Sequence, residues 1–159
     1  MAETSTCIVS PWLGEILWEN GCELHFPSGL PGFERFRRIV PVEIPSQRPL
    51  IYLQSVEKGD VCFLALPVLA VQPQFELCLS EDDRSTLELD RFLPANDASP
   101  ALGTDVLCLA LLVPFGKTVQ TNLDAPIVIN LHNGRGVQAI SPAAGYWRLS
   151  QFGGWEAVC

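Results

Sequence analysis

The chain has 159 residues, 48% of them hydrophobic, and carries eighteen carboxylates against ten lysines and arginines for a net charge of -8. A chain this long can bury a core without staples, which excludes global disorder, and so acidic a balance disfavours nucleic acid, whose every phosphate contact wants a lysine or arginine. The longest apolar runs, Val61 to Val71 and Val106 to Phe115, reach about half of the roughly 20 residues that a spanning helix needs, and no basic stretch leads the chain, so a single cytoplasmic domain over residues 1–159, off the membrane, is expected.

Taken in chain order, short apolar or alternating runs are separated by glycine, proline and asparagine, and helical periodicity is nearly absent. That pattern predicts an all-β fold. Between Gly14 and Phe26 the residues Ile16, Trp18, Cys22, Leu24 and Phe26 are all even-numbered, and a hairpin keeps them on one face only if its loop is odd. The reading is a bulged three-residue turn, Glu19-Asn20-Gly21, with Gly21 left-handed, setting Trp18 against Cys22 and Ile16 against Leu24. Further strands are predicted at Arg37 to Ile44, Leu50 to Val56, Val61 to Leu66, Gln74 to Leu79, Val106 to Val113, Thr118 to Asn122, Pro126 to Leu131 and Val137 to Ile140. One short helix is predicted after Ser80, an N-cap serine followed by Glu81, Asp82 and Asp83, where the helix dipole favours negative charge. It is expected to end before Pro94, with Pro94 to Thr104 as a surface loop.

Few residues suggest catalysis. The two histidines, His25 and His132, lie far apart on an outward strand position and before a turn, and there is no nucleophile elbow, dinucleotide fingerprint or phosphate loop. Of the six cysteines, Cys62, Cys78 and Cys108 sit inside apolar runs as reduced, buried thiols, and no two are close enough to nucleate a zinc site. For a cysteine enzyme the leading candidates are Cys7 and Cys159, near the chain ends. No cofactor and no metal are expected. The acidic charge is concentrated, with eight carboxylates against Arg84 and Arg91 between Glu76 and Asp105, and four with no basic residue between Met1 and Phe33. Such a surface suits a basic protein partner.

Three motifs lie in order along the chain: FPSGLPGFE (Phe26 to Glu34), LQSVEKGDVCF (Leu53 to Phe63) and TNLDAPIVIN (Thr121 to Asn130), with Gly136 and Gln138 downstream. Together they resemble the bacterial flagellar assembly factor family, FliW, over about Trp12 to Ile140. The tail from residue 141 to 159 diverges, and Leu66 stands where the family usually has aspartate. The resemblance implies a small, flattened antiparallel β-barrel-like fold and a non-enzymatic role. Family members bind flagellin in the cytoplasm and bind the translational regulator CsrA, relieving its repression of flagellin messenger RNA. On this resemblance the partner-binding residues are expected in two loop segments, Phe33 and Glu34 in the first, and Asn122, Leu123, Asp124 and Ala125 in the second. A small-molecule-binding barrel is the alternative, suggested by the aromatic residues and a tail with Tyr146, Trp147, Phe152 and Trp155 that could cover the barrel end.

Overall fold

The structure, a computed structural model, describes residues 6–19, 21–94 and 99–140. Among them, β1 (Thr6–Ser10) and β2 (Gly14–Trp18) pair as a separate ribbon. Strands β3 (Leu24–His25), β4 (Arg38–Val42), β5 (Ile51–Ser55), β6 (Cys62–Pro67), β7 (Val106–Phe115), β8 (Thr118–Asn130) and β9 (Gly136–Gln138) follow one another across a seven-stranded antiparallel sheet. The sheet curls until its ends meet, with the His25 N–H donating to the Gly134 carbonyl at 2.9 Å and His25 bridging to Arg135. The observed architecture is the all-β, flattened barrel-like one expected.

β7 reads as an unbroken apolar run because both of its faces are buried. On the inner face Leu109 joins Phe26, Ile39, Leu53 and Ile127, all at 0% exposure, and these side chains fill the barrel. On the outer face Val106, Cys108 and Ala110 are covered by Val68 of α1 (Val68–Val71) and by Leu87 and Leu89, which follow α2 (Glu81–Thr86). This acidic covering segment is held by side chains from the end of β8 and the β8–β9 turn. Asn130 donates to the Leu87 carbonyl at 2.8 Å and Arg135 to the Thr86 carbonyl at 2.7 Å. On the opposite wall the β1–β2 ribbon lays Ile16 and Trp18 onto Val40.

Several expectations are corrected. The Gly14–Phe26 hairpin does not form: β2 pairs with β1, so Trp18 stands opposite Thr6 and Ile16 opposite Ile8, while β3 pairs with β4. Shared parity does not put the five side chains on one face: Ile16 and Trp18 pack with Val40, Leu24 and Phe26 pack in the barrel, and Cys22 is exposed. Gly21 is left-handed as predicted, at φ +96. Gln74 to Leu79 is not a strand; Phe75, Leu77 and Leu79 pack on the outer core without joining a ladder. The Val61–Val71 run breaks at Pro67, beyond which Val68–Val71 takes a helical turn, so the single predicted helix has a companion. Ser80 does cap α2, its hydroxyl accepting from the Asp83 N–H at 3.0 Å. The helix stops at Thr86 rather than near Pro94, because Glu88 is left-handed at φ 58 and only a 3-10 turn, Leu89–Arg91, follows. Cys78 is exposed, against the expectation of burial. Asn20, residues 95–98, the tail 141–159 and Cys159 lie outside the described residues, so the expected covering tail does too.

Candidate functional site

The third motif folds as an irregularity in β8. From Val106 to Leu109, β7 pairs with Asn130 to Ile127; from Leu111 to Phe115 it pairs with Asn122 to Thr118. Leu123, Asp124, Ala125 and Pro126 therefore stand opposite Ala110 alone. The two predicted strands around this segment are one strand, interrupted by a wide bulge. Asn122 holds the bulge by accepting from the Asp124 N–H at 3.0 Å through its side-chain carbonyl, and Gln138 donates to the Ala125 carbonyl at 3.1 Å. Bulges bend and twist the strand that carries them.

At the same level β6 and β7 part company. Their pairing runs from Pro67 opposite Leu109 to Ala65 opposite Leu111 and goes no further. Continued, that register would set Leu64 against Leu112, Phe63 against Val113 and Cys62 against Pro114. Instead these residues line the two sides of a groove of about 570 Å³. The bulge supplies the physical reason, since it turns the distal half of the β7–β8 hairpin away from β6. Leu30, Pro31, Phe33, Asn122 and Gln138 also line the groove, and Val119, 61% exposed, stands at its rim.

The first motif provides the groove's aromatic wall. Phe33 meets Phe63 edge-on, ring centroids 5.0 Å apart, and remains 39% exposed. Its loop is tightly determined. Gly29 is left-handed at φ +65, and a Cβ there would lie 2.5 Å from the Glu34 Cα, so both conformation and space demand glycine. The Glu34 carboxylate accepts from the Gly32 N–H at 3.0 Å, and this bond holds its pKa below the usual carboxylate value. Glu34 lines a second cleft of about 290 Å³ together with Asp83 of α2, and that cleft shares Pro31 and Gln138 with the groove. Gly136 also lines it, where a Cβ would strike the buried Phe26 ring at 2.5 Å.

The second motif builds the turn that leads into β6. Gln54, fully buried, points its side-chain N–H groups at the carbonyls of Ser55, Gly59 and Val61 at 3.0 to 3.1 Å. The Ser55 hydroxyl accepts from the Glu57 and Lys58 N–H groups at 3.1 and 3.2 Å. Much of that motif is thus spent on loop architecture, which presents Cys62 and Phe63 to the groove.

Of the six residues singled out in the sequence, Phe33 and Asn122 come together at the groove and Glu34 lies in the adjoining cleft. Leu123 and Asp124 are each only 6% exposed, Leu123 packing into the outer core, and Ala125 is half-buried. Sequence reasoning missed Phe63, Leu112, Val113 and Val119 as groove residues. Phe63 and Gln138 did fall within the quoted motif segments, which was the one available signal for them.

Other chemistry is sparse among the described residues. No group of three or more His, Cys, Asp or Glu side chains is placed to hold a metal, and no helix is long and apolar enough to cross a membrane. Burial pushes the Cys62 thiol up to about 11 and the Cys108 thiol up to about 12, and the Cys7 thiol is also raised, by desolvation and by Glu15. These thiols are disfavoured as thiolate nucleophiles. His132 lies 3.0 Å from the Asp105 carboxylate and stacks on Phe92, whereas His25 is exposed.

Comparison with known proteins gives a consistent result. The family model described as FliW protein matches residues 8–149. The chain is 28% identical over 138 residues to the flagellar assembly factor FliW of Caldicellulosiruptor bescii, covering 87% of this chain and 84% of that protein. It is 32% identical over 142 residues to the flagellar assembly factor FliW of an Azoarcus species, covering 84% and 89%. Among solved structures it matches a crystal structure of the flagellar assembly factor FliW with a TM-score of 0.70 at 26% identity, over 86% of this chain and 89% of the other.

Proposed function

The chain belongs to the FliW protein family, and we propose that it is a non-enzymatic flagellar assembly factor that binds flagellin and the regulator CsrA, relieving repression of flagellin messenger RNA. The observation that carries this reading is convergence. Three motifs separated by tens of residues meet around one exposed groove, through Phe33, Phe63 and Asn122. A structural requirement alone would leave such residues in the core, whereas Phe33 remains substantially exposed, beside the exposed Val119 at the groove's rim. Exposed aromatic and aliphatic side chains around a concave surface suit a protein partner. The acidic charge adds a kinetic argument, because CsrA must be basic where it holds RNA, and opposite charge speeds encounter while repelling the RNA. Phe33, Glu34 and Asn122 are the groove-side contacts in this reading; Leu123, Asp124 and Ala125 serve by shaping the bulge that opens it.

The small-molecule alternative is weakened by the side chains that fill the barrel interior. Sizing chromatography of the purified chain with CsrA, and separately with flagellin, at low and moderate salt tests the proposal. Co-elution with at least one partner is expected, reduced at least tenfold in affinity by Phe33→Ala with the fold retained. Absence of any complex at both salt concentrations would overturn it.

A further inference from the structure

We propose that the open seam between β6 and β7 accepts an inserted β-strand: an extended apolar segment of a partner protein, followed by a lysine or arginine that reaches Glu34 and Asp83. This rests on the partner-binding reading above and specifies its chemistry.

The first argument concerns the backbone. β6 is paired with β5 through Cys62 to Ala65, and β7 with β8 through Leu111 to Phe115. On the sides that face each other, Cys62 to Leu64 and Leu112 to Pro114 have no ladder partner among the described residues. Two strand edges confronting one another across a groove form a template that an extended chain completes, pairing on both sides. Three residues on each edge correspond to about 10 Å of strand, so the seam takes a short segment. Pro114 marks its outer limit, since it has no N–H to offer a ladder.

The second argument concerns charge. The side chains lining the seam carry none: Phe33, Phe63, Leu64, Leu112 and Val113 provide apolar contact, with Asn122 and Gln138 as polar groups. Across Pro31 and Gln138 lies the cleft containing Glu34 and Asp83, with no lysine or arginine among the described residues of its lining. Arg37 approaches only the Glu34 backbone carbonyl, at 3.5 Å. The Gly32 N–H hydrogen bond lowers the Glu34 pKa below the usual carboxylate value. An apolar strand that ends in a cation matches both compartments in sequence, and an acidic segment would meet two carboxylates.

Amide hydrogen exchange tests insertion directly. Exchange is followed at Cys62 to Leu64 and at Leu112 and Val113, in the free chain and in its complexes with CsrA and with flagellin. At least tenfold slowing at both edges in one complex is expected. A complex that forms without slowing at either edge overturns strand insertion and leaves the partner reading standing; no complex with either protein removes that reading instead. The seam is then probed independently with a fluorescein-labelled ten-residue peptide of alternating valine and threonine ending in two lysines. Its counterparts end in two glutamates or carry a central proline. The lysine peptide is expected to bind roughly three- to tenfold more tightly than the glutamate peptide, and the proline peptide to lose binding. The double variant Glu34→Gln, Asp83→Asn is expected to erase the lysine preference. Equal binding of all three peptides, or none by any, overturns the proposal.

Discussion

The proximal and distal halves of the β7–β8 hairpin share an apolar β7 and meet different fates. Proximally, Val106, Leu109, Ile127 and Val128 are fully buried between β6 and β9. Distally, Leu111 to Val113 are half-buried beside an open groove, and Val119 is 61% exposed. The change falls at the bulge opposite Ala110. A single hairpin thus anchors the core at one end and offers a surface at the other, and the bulge lets the second end vary without repacking the first.

The sharpest way to break this comparison is to truncate the same residue type on each side. Leu109→Ala empties a fully buried position in the barrel and is expected to cost about 2 to 5 kcal/mol in urea unfolding. Leu112→Ala, three residues along and half-buried at the groove, is expected to cost about 1 kcal/mol or less while weakening partner binding in titration calorimetry. Similar stability losses for the two would mean that the distal half is core after all. An effect between those two is expected at the groove's far wall. Gly29→Ala forces a side chain into left-handed backbone and against the Glu34 Cα, for roughly 1 to 3 kcal/mol. Because that loop presents Phe33, it should also lower partner affinity, separating it from Leu109→Ala, whose folded fraction should bind normally.

The same comparison explains how much could be read from the sequence. β7 was legible because an unbroken apolar run of its length suits a strand buried on both faces. Ser80 and its three carboxylates announced α2, since capping is a local interaction. The Asn122–Ala125 segment was recognisable as an interruption, yet its form as a bulge within one strand depends on what stands opposite, and Ala110 is distant in sequence. The ribbon failed for a related reason: β2 chose β1 over β3, and strand choice is a property of the assembled sheet. The groove was least legible of all. It arises where β6 and β7 cease to pair, and no local signal in Cys62-Phe63-Leu64 or Leu112-Val113-Pro114 says that two strands will diverge. Motif residues pointed to its neighbourhood through Leu30, Pro31, Phe33, Cys62, Phe63, Asn122 and Gln138.

The smallest expected effect concerns the end of the hairpin opposite its turn. Asp105, just before β7, accepts from the Ala101 N–H at 2.9 Å and lies 3.0 Å from His132, just after β8. The Leu131 N–H donates to the Asp105 carbonyl at 2.9 Å, fastening the same end. The Ala101 bond, with His132 second, holds the Asp105 pKa below its ordinary 3.8. A carboxylate depressed by folding contributes stability above its unfolded pKa and loses that contribution as pH falls through the folded value. Acidification below 3.8 should therefore loosen the proximal end. Urea midpoints for the native chain and for Asp105→Asn are expected to differ at neutral pH and to converge as pH falls through this window. Amide exchange at Leu112 and Val113 should not follow the same titration, because the bulge lies between those residues and the Asp105–His132 pair. If exchange at the seam does follow it, the two halves are coupled through the bulge, and acid would act on the binding surface through the core.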